Sequence, residues 1–123
     1  MSAVAALIAV IVNLLLVAAA ALLSAAVTAA FTQAGVPHVL QRAGSLFSVF
    51  LGVDSPVLDY ASAQRQDTGA FRAFFHAMLD AGVALPPSAY EAWFVSATHD
   101  DAVISRIVAA LPAAAGAAAS ALT

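Results

Sequence analysis

The sequence predicts an α+β fold: a long apolar N-terminal helix, three extended segments and further helices, within one domain. Three observations predict it. Residues 4–23 are apolar at every position but Asn13. Two runs rich in β-branched and aromatic residues, 36–41 and 45–51, flank Ala43-Gly44. Two apolar stripes at helical spacing follow, carried by Phe71, Phe74, Phe75, Met78 and Leu79, and by Val103, Ile104, Ile107, Val108 and Leu111. A chain of 123 residues has room for one core and no second.

The elements follow in order. Gly35 and Pro37 stop the first helix, glycine taking the left-handed position after the last turn and proline barring continuation. The two runs that follow make a hairpin turning at Gly44. Leu46-Phe47-Ser48-Val49-Phe50 is apolar on both faces, which makes its strand the central one, and Gly52, Asp54, Ser55 and Pro56 close it. Residues 58–66 are polar and read as a loop or short turn. Asp67 or Thr68 caps the next helix, whose stripe leaves Arg72, His76 and Asp80 toward its edges, with Gly82 as the stop. Pro86-Pro87 forbid helix, and residues 91–97 with Trp93, Phe94 and Val95 form a third strand. Thr98 with Asp101 resembles a capping box opening the last helix, where Asp100 and Asp101 favour the N-terminal dipole. Pro112 kinks or ends that helix and leaves 112–123 as an alanine-rich tail.

Composition closes several functional classes. Hydrophobic residues make up 63% of the chain and charged residues 9%, with net charge −3, so no basic footprint for a phosphate backbone exists and nucleic acid is excluded as a partner. The absence of cysteine removes disulfides and thiolate metal sites. The bases are Arg42, Arg65, Arg72 and Arg106, and lysine is absent. Schiff-base chemistry and a phosphate-loop lysine are therefore closed to this chain alone.

All charged residues fall between Arg42 and Arg106, so residues 1–23 read as an apolar leader distinct from the rest. Twenty residues at about 1.5 Å each would cross a ~30 Å hydrocarbon core. Three readings stay open for the leader: a transmembrane helix, a secretory signal lacking its positive start, and a helix buried against a partner.

Chemistry-bearing residues are sparse. His38, His76 and His99 lack metal-ligand spacing, and Asp100-Asp101 point about 100° apart on a helix, which suits capping rather than a dyad. No phosphate loop or nucleophile elbow is present. The residues themselves assign no catalytic, cofactor-binding or metal site.

The run from Phe71 through Phe74-Phe75-His76-Ala77-Met78-Leu79-Asp80-Ala81-Gly82-Val83, then Leu85-Pro86-Pro87-Ser88-Ala89-Tyr90-Glu91-Ala92-Trp93-Phe94-Val95-Ser96 and His99, resembles the C-terminal domain of glutamate-1-semialdehyde 2,1-aminomutases. These are pyridoxal-phosphate enzymes of the class III aminotransferase group, fold type I. Ala34-Gly35-Val36-Pro37 and residues 42–50 extend the likeness, which runs over 24–111. The proline-serine-aromatic-glutamate stretch is its specific part, and Trp93 stands where the family usually keeps a small residue.

The resemblance implies a three-stranded antiparallel sheet with helices on one face, folding over a large cofactor domain. It implies that Glu91 faces the substrate, and that the Schiff-base lysine, phosphate contacts and pyridine-nitrogen aspartate lie outside this chain. On this view the chain is a truncated fragment, inactive alone and binding no cofactor, of an enzyme forming 5-aminolevulinate for tetrapyrrole (porphyrin) synthesis. Its partner would be a large pyridoxal-phosphate domain or a full-length homologue, a homodimer in the family. Its location would be cytoplasmic by resemblance, or membrane if residues 4–23 insert. The alternative is a membrane-anchored or partner-docking interaction protein with an aminomutase-like head.

Overall fold

The structure, a computed structural model, describes residues 2–123. It contains α1 (Ala3–Ala34), β1 (His38–Ala43), β2 (Leu46–Leu51), α2 (Tyr60–Ala63), α3 (Thr68–Asp80), β3 (Trp93–Phe94) and α4 (Asp101–Ser120). The architecture is α+β, with the long N-terminal helix and the three-stranded antiparallel sheet that the sequence implied.

Helix α1 is bounded by its own chemistry. The Ser2 side chain accepts from the Ala5 N–H at 3.1 Å, and Gly35 ends the helix at φ 73°. The Val36 N–H donates to Phe31 O at 2.9 Å and the Gly35 N–H to Thr32 O at 3.2 Å, so the last carbonyls are satisfied by the turn that glycine permits.

The hairpin turns at Gly44, φ 61°, with His38 opposite Leu51 and Ala43 opposite Leu46. β2 is central, as its two-sided apolarity predicts, and β3 pairs Phe47 with Trp93 and Leu46 with Phe94. Side-chain alternation then sends Phe47, Val49, Leu51 and Trp93 into the core, while Phe94 is 69% exposed. Trp93 lies 5.1 Å from the Phe47 ring and stacks on Phe74 at 6.1 Å, and Phe74 meets Phe31 of α1 at 4.8 Å. Four aromatic rings thereby tie sheet, α3 and α1 together, and the bulk of Trp93 finds its place in that stack.

Several sequence expectations change. The third strand is two residues rather than 91–97, because Ser88 and Glu91 form a turn before it and a hydroxyl-histidine turn takes over after it. That second turn also overturns the Thr98 cap. The Thr98 hydroxyl is 2.7 Å from Ser96 Oγ, and Asp100 caps α4 instead, accepting from the Val103 N–H at 2.9 Å. Residues 58–66 hold the one-turn α2, closed by a capping box in which Asp59 accepts from the Ser62 N–H at 2.7 Å. Ser62's N–H and side chain hold the Asp59 carboxyl below its ordinary value. Leu79 is 45% exposed, since α3 buries Phe71, Phe74 and Met78 and position 79 lies about 100° round from 78.

The largest difference is at the end of the chain. Helix α4 runs through Pro112 to Ser120, and Ala114, Ala115 and Ala118 are buried. Proline removes one N–H donor, but burial of the small alanines in the core, where α4 packs against both α1 and α3, outweighs that loss. The alanine-rich segment is thus a helix–helix contact.

Candidate functional site

The turn that carries Glu91 is built by prolines and a serine. Pro86-Pro87 fix an extended approach, the Tyr90 N–H donates to Ser88 Oγ at 3.2 Å, and the Ser88 N–H donates to Glu91 Oε1 at 3.1 Å. The Glu91 N–H closes the turn on Ser88 O at 3.2 Å. Glu91 is exposed, as is Tyr90 before it, and the turn is anchored in the core through the buried Ala89. A carboxylate has two oxygens and several lone pairs, so the single Ser88 bond leaves capacity to accept from a second donor.

Beside this turn lies an open cleft of about 300 Å³ between α3 and residues 87–90. Thr68, Arg72 and His76 line its helical wall at i, i+4 and i+8, with Phe71 and Phe75 as its apolar floor and Ser88 and Tyr90 opposite. The i, i+4, i+8 spacing is present in the sequence, but periodicity alone marks Arg72 and His76 only as helix-edge residues. The Tyr90 ring also meets the Tyr60 ring of α2 at 5.9 Å, so the turn touches a second element.

The three histidines are far apart in role. His38 on β1 has Nδ1 2.9 Å from Val36 O and its ring 5.5 Å from Phe31. His76 stands edge-on to Phe75 at 5.3 Å. His99 Nδ1 accepts from the Ser96 N–H at 3.0 Å and lies 3.1 Å from Ser96 Oγ, which shapes the entry to α4. Among the described residues no group of three metal-ligating side chains converges. Asp100 is a cap and Asp101 lies in the first helical turn.

Two features are set by tertiary packing: the closure of the chain's end onto Asp67 and the enclosure of Gln66. Asp67 caps α3, accepting from the Ala70 N–H at 2.9 Å, and also receives Thr123 from the far end of the chain. The Ala70 N–H first, then the Thr123 N–H, hold its carboxyl below the ordinary value. Gln66 is 6% exposed and both polar atoms of its amide lack a hydrogen-bond partner among the described residues. No short-range pattern signals either.

No family model matches the chain. Among curated proteins, the glutamate-1-semialdehyde 2,1-aminomutase of Cutibacterium acnes (strain DSM 16379 / KPA171202) is 60% identical over 94 residues, which is 76% of this chain and 22% of that protein. The likeness read from the Pro87-Ser88-Ala89-Tyr90-Glu91 stretch and the hairpin is thus a likeness to a segment of an aminomutase, and the chain spans about a fifth of the length of that curated relative. Pyridoxal phosphate, the cofactor of the resembled family, is held through a lysine amine. With no lysine in the chain, the residues present do not fit that cofactor by themselves.

Proposed function

We propose that this chain forms the small α+β part of a glutamate-1-semialdehyde aminomutase, completing a cofactor-bearing part supplied by other polypeptide. The observation that carries the reading is the 60% identity over 94 residues. Within it, Glu91 is the substrate-facing residue, orienting an ammonium group of the substrate through the carboxylate capacity that Ser88 leaves unused. Alone, the chain carries no catalytic residue and no turnover, because it lacks the lysine amine the chemistry requires. A large cofactor domain or a full-length homologue is the partner this reading names.

The test is complementation. The chain is mixed with the Cutibacterium acnes relative deleted for its matched segment, in the presence of pyridoxal phosphate, and 5-aminolevulinate formation is followed. Restored turnover is expected, with Glu91→Gln lowering it by roughly tenfold or more while association persists. Association without any turnover would contradict the reading.

A second reading, a small membrane-anchored or partner-docking protein with the same domain as its head, is supported by the uncovered apolar half of α1.

A further inference from the structure

The structure leaves the first half of α1 without a covering surface. Residues 3–15 are exposed at every position, including Val4 at 67%, Leu7 at 60%, Val10 at 56%, Leu14 at 62% and Leu15 at 64%. Successive positions on a helix step about 100° apart, so the exposed run Val10-Ile11-Val12 alone covers most of the circumference. The apolar surface is therefore not a stripe. A protein groove or a second copy of the helix covers one side and leaves the others wet, whereas hydrocarbon covers all sides at once. From Ala5 onward the N–H groups of this segment are bonded within the helix and its Ser2 cap, and Ser2 and Asn13 are the polar side chains between residues 2 and 15.

We infer that the projecting half of α1 is a lipid anchor that enters one leaflet of a bilayer and stops there. The depth follows from packing. Residues 3–15 reach about 20 Å along the helix axis, against a hydrocarbon core of about 30 Å. From Ala20 onward α1 turns Ala20, Leu23, Ser24 and Val27 into the protein core, and Leu23 shares a cavity wall with Ile107 of α4. A full crossing would pull these residues off their partners, so the folded domain sets the limit of insertion. Charge adds a second constraint. No Lys or Arg precedes Arg42, so attraction to anionic headgroups contributes nothing and binding is driven by apolar burial alone.

The chain lacks cysteine, which permits a clean experiment. The full chain is floated with phosphatidylcholine vesicles, with and without phosphatidylglycerol, at low and high salt. Ala3→Cys is probed with an impermeant maleimide added outside or trapped inside the vesicles. The expected result is flotation insensitive to lipid charge and salt, with position 3 shielded from both sides. The Leu7→Asp, Ile11→Asp double variant, at exposed sites, should keep the near-ultraviolet signal of Trp93 and lose at least about tenfold in partitioning. Labelling of position 3 only by the trapped reagent would show a full span and overturn the one-leaflet anchor. A chain that stays in solution, as monomer or as oligomer, would overturn lipid binding altogether.

Discussion

Thr123 donates to Asp67 twice, through its backbone N–H at 2.9 Å and its hydroxyl at 3.0 Å, both to Oδ2, while Asp67 Oδ1 caps α3. One carboxylate thereby fixes the start of α3 and the end of α4, the two helices joined most extensively in the domain. Its ionised form is the one these donors stabilise, which is why its pKa is depressed.

That sign sets a pH dependence. A carboxyl whose folded-state pKa is lowered stabilises the fold fully above its ordinary value of about 4, and the contribution is lost as the pH falls through the lower folded-state value. Asp67→Ala should cost about 1 kcal/mol or more at neutral pH. Asp67→Asn, which keeps an acceptor without the charge, should approach the parent chain as the solution is acidified. Urea midpoints across pH measure both, and a constant difference between parent and Asn variant down to acid would refute the assignment.

Gly52 presses against the same residue. At φ 76° a Cβ there would lie 2.8 Å from Asp67 Cβ and 3.3 Å from its nitrogen, and the Gly52 N–H and Asp67 N–H each make a 2.7 Å bond that holds the approach. Gly52→Ala combines a left-handed backbone with that clash and should destabilise by more than about 1 kcal/mol in urea unfolding. Gly44→Ala meets no atom within 4 Å and should cost less, its backbone strain alone.

Complete burial of Ala115 in the core that α4 forms with α1 and α3 makes the alanine-rich end of α4 sensitive to size. Ala115→Leu should overpack the contact and lose about 1–3 kcal/mol. An exposed frayed tail would tolerate leucine, so an unchanged thermal midpoint would contradict the helix–helix contact.

Gln66 offers the opposite case. Its enclosed amide has no partner among the described residues, so Gln66→Met, of similar volume, should be neutral or stabilising. A loss above about 1 kcal/mol in the urea midpoint would reveal a hydrogen bond the amide depends on.

Much of this fold is legible in the chain because local chemistry dictates it. Gly35 and Gly44 need left-handed backbone, Asp67 is a cap, and the two-sided apolarity of β2 marks a central strand. What the sequence hides is decided by competition or by distance. Thr98 loses its cap role because Ser96 engages its hydroxyl, and Asp100 is free to take it. Pro112 stops a lone helix but not one whose next turns are buried. The Asp67–Thr123 pair joins residues 56 apart, beyond any periodicity. Of the candidate site, Glu91 came from resemblance, and its turn is written in Pro86-Pro87-Ser88. The cleft on α3 is written in the i, i+4, i+8 spacing of Thr68, Arg72 and His76, but only the turn opposite makes it a cleft.

A graft decides whether this chain can serve as the small domain of an aminomutase. The segment of this chain that matches the Cutibacterium acnes aminomutase replaces the corresponding segment there, and conversion of glutamate-1-semialdehyde to 5-aminolevulinate is assayed in the folded chimera. Turnover near that of the unmodified enzyme is expected, with its loss by roughly tenfold or more on Glu91→Gln at an unchanged melting temperature. A folded, cofactor-loaded chimera without turnover, or one indifferent to Glu91→Gln, would contradict that role.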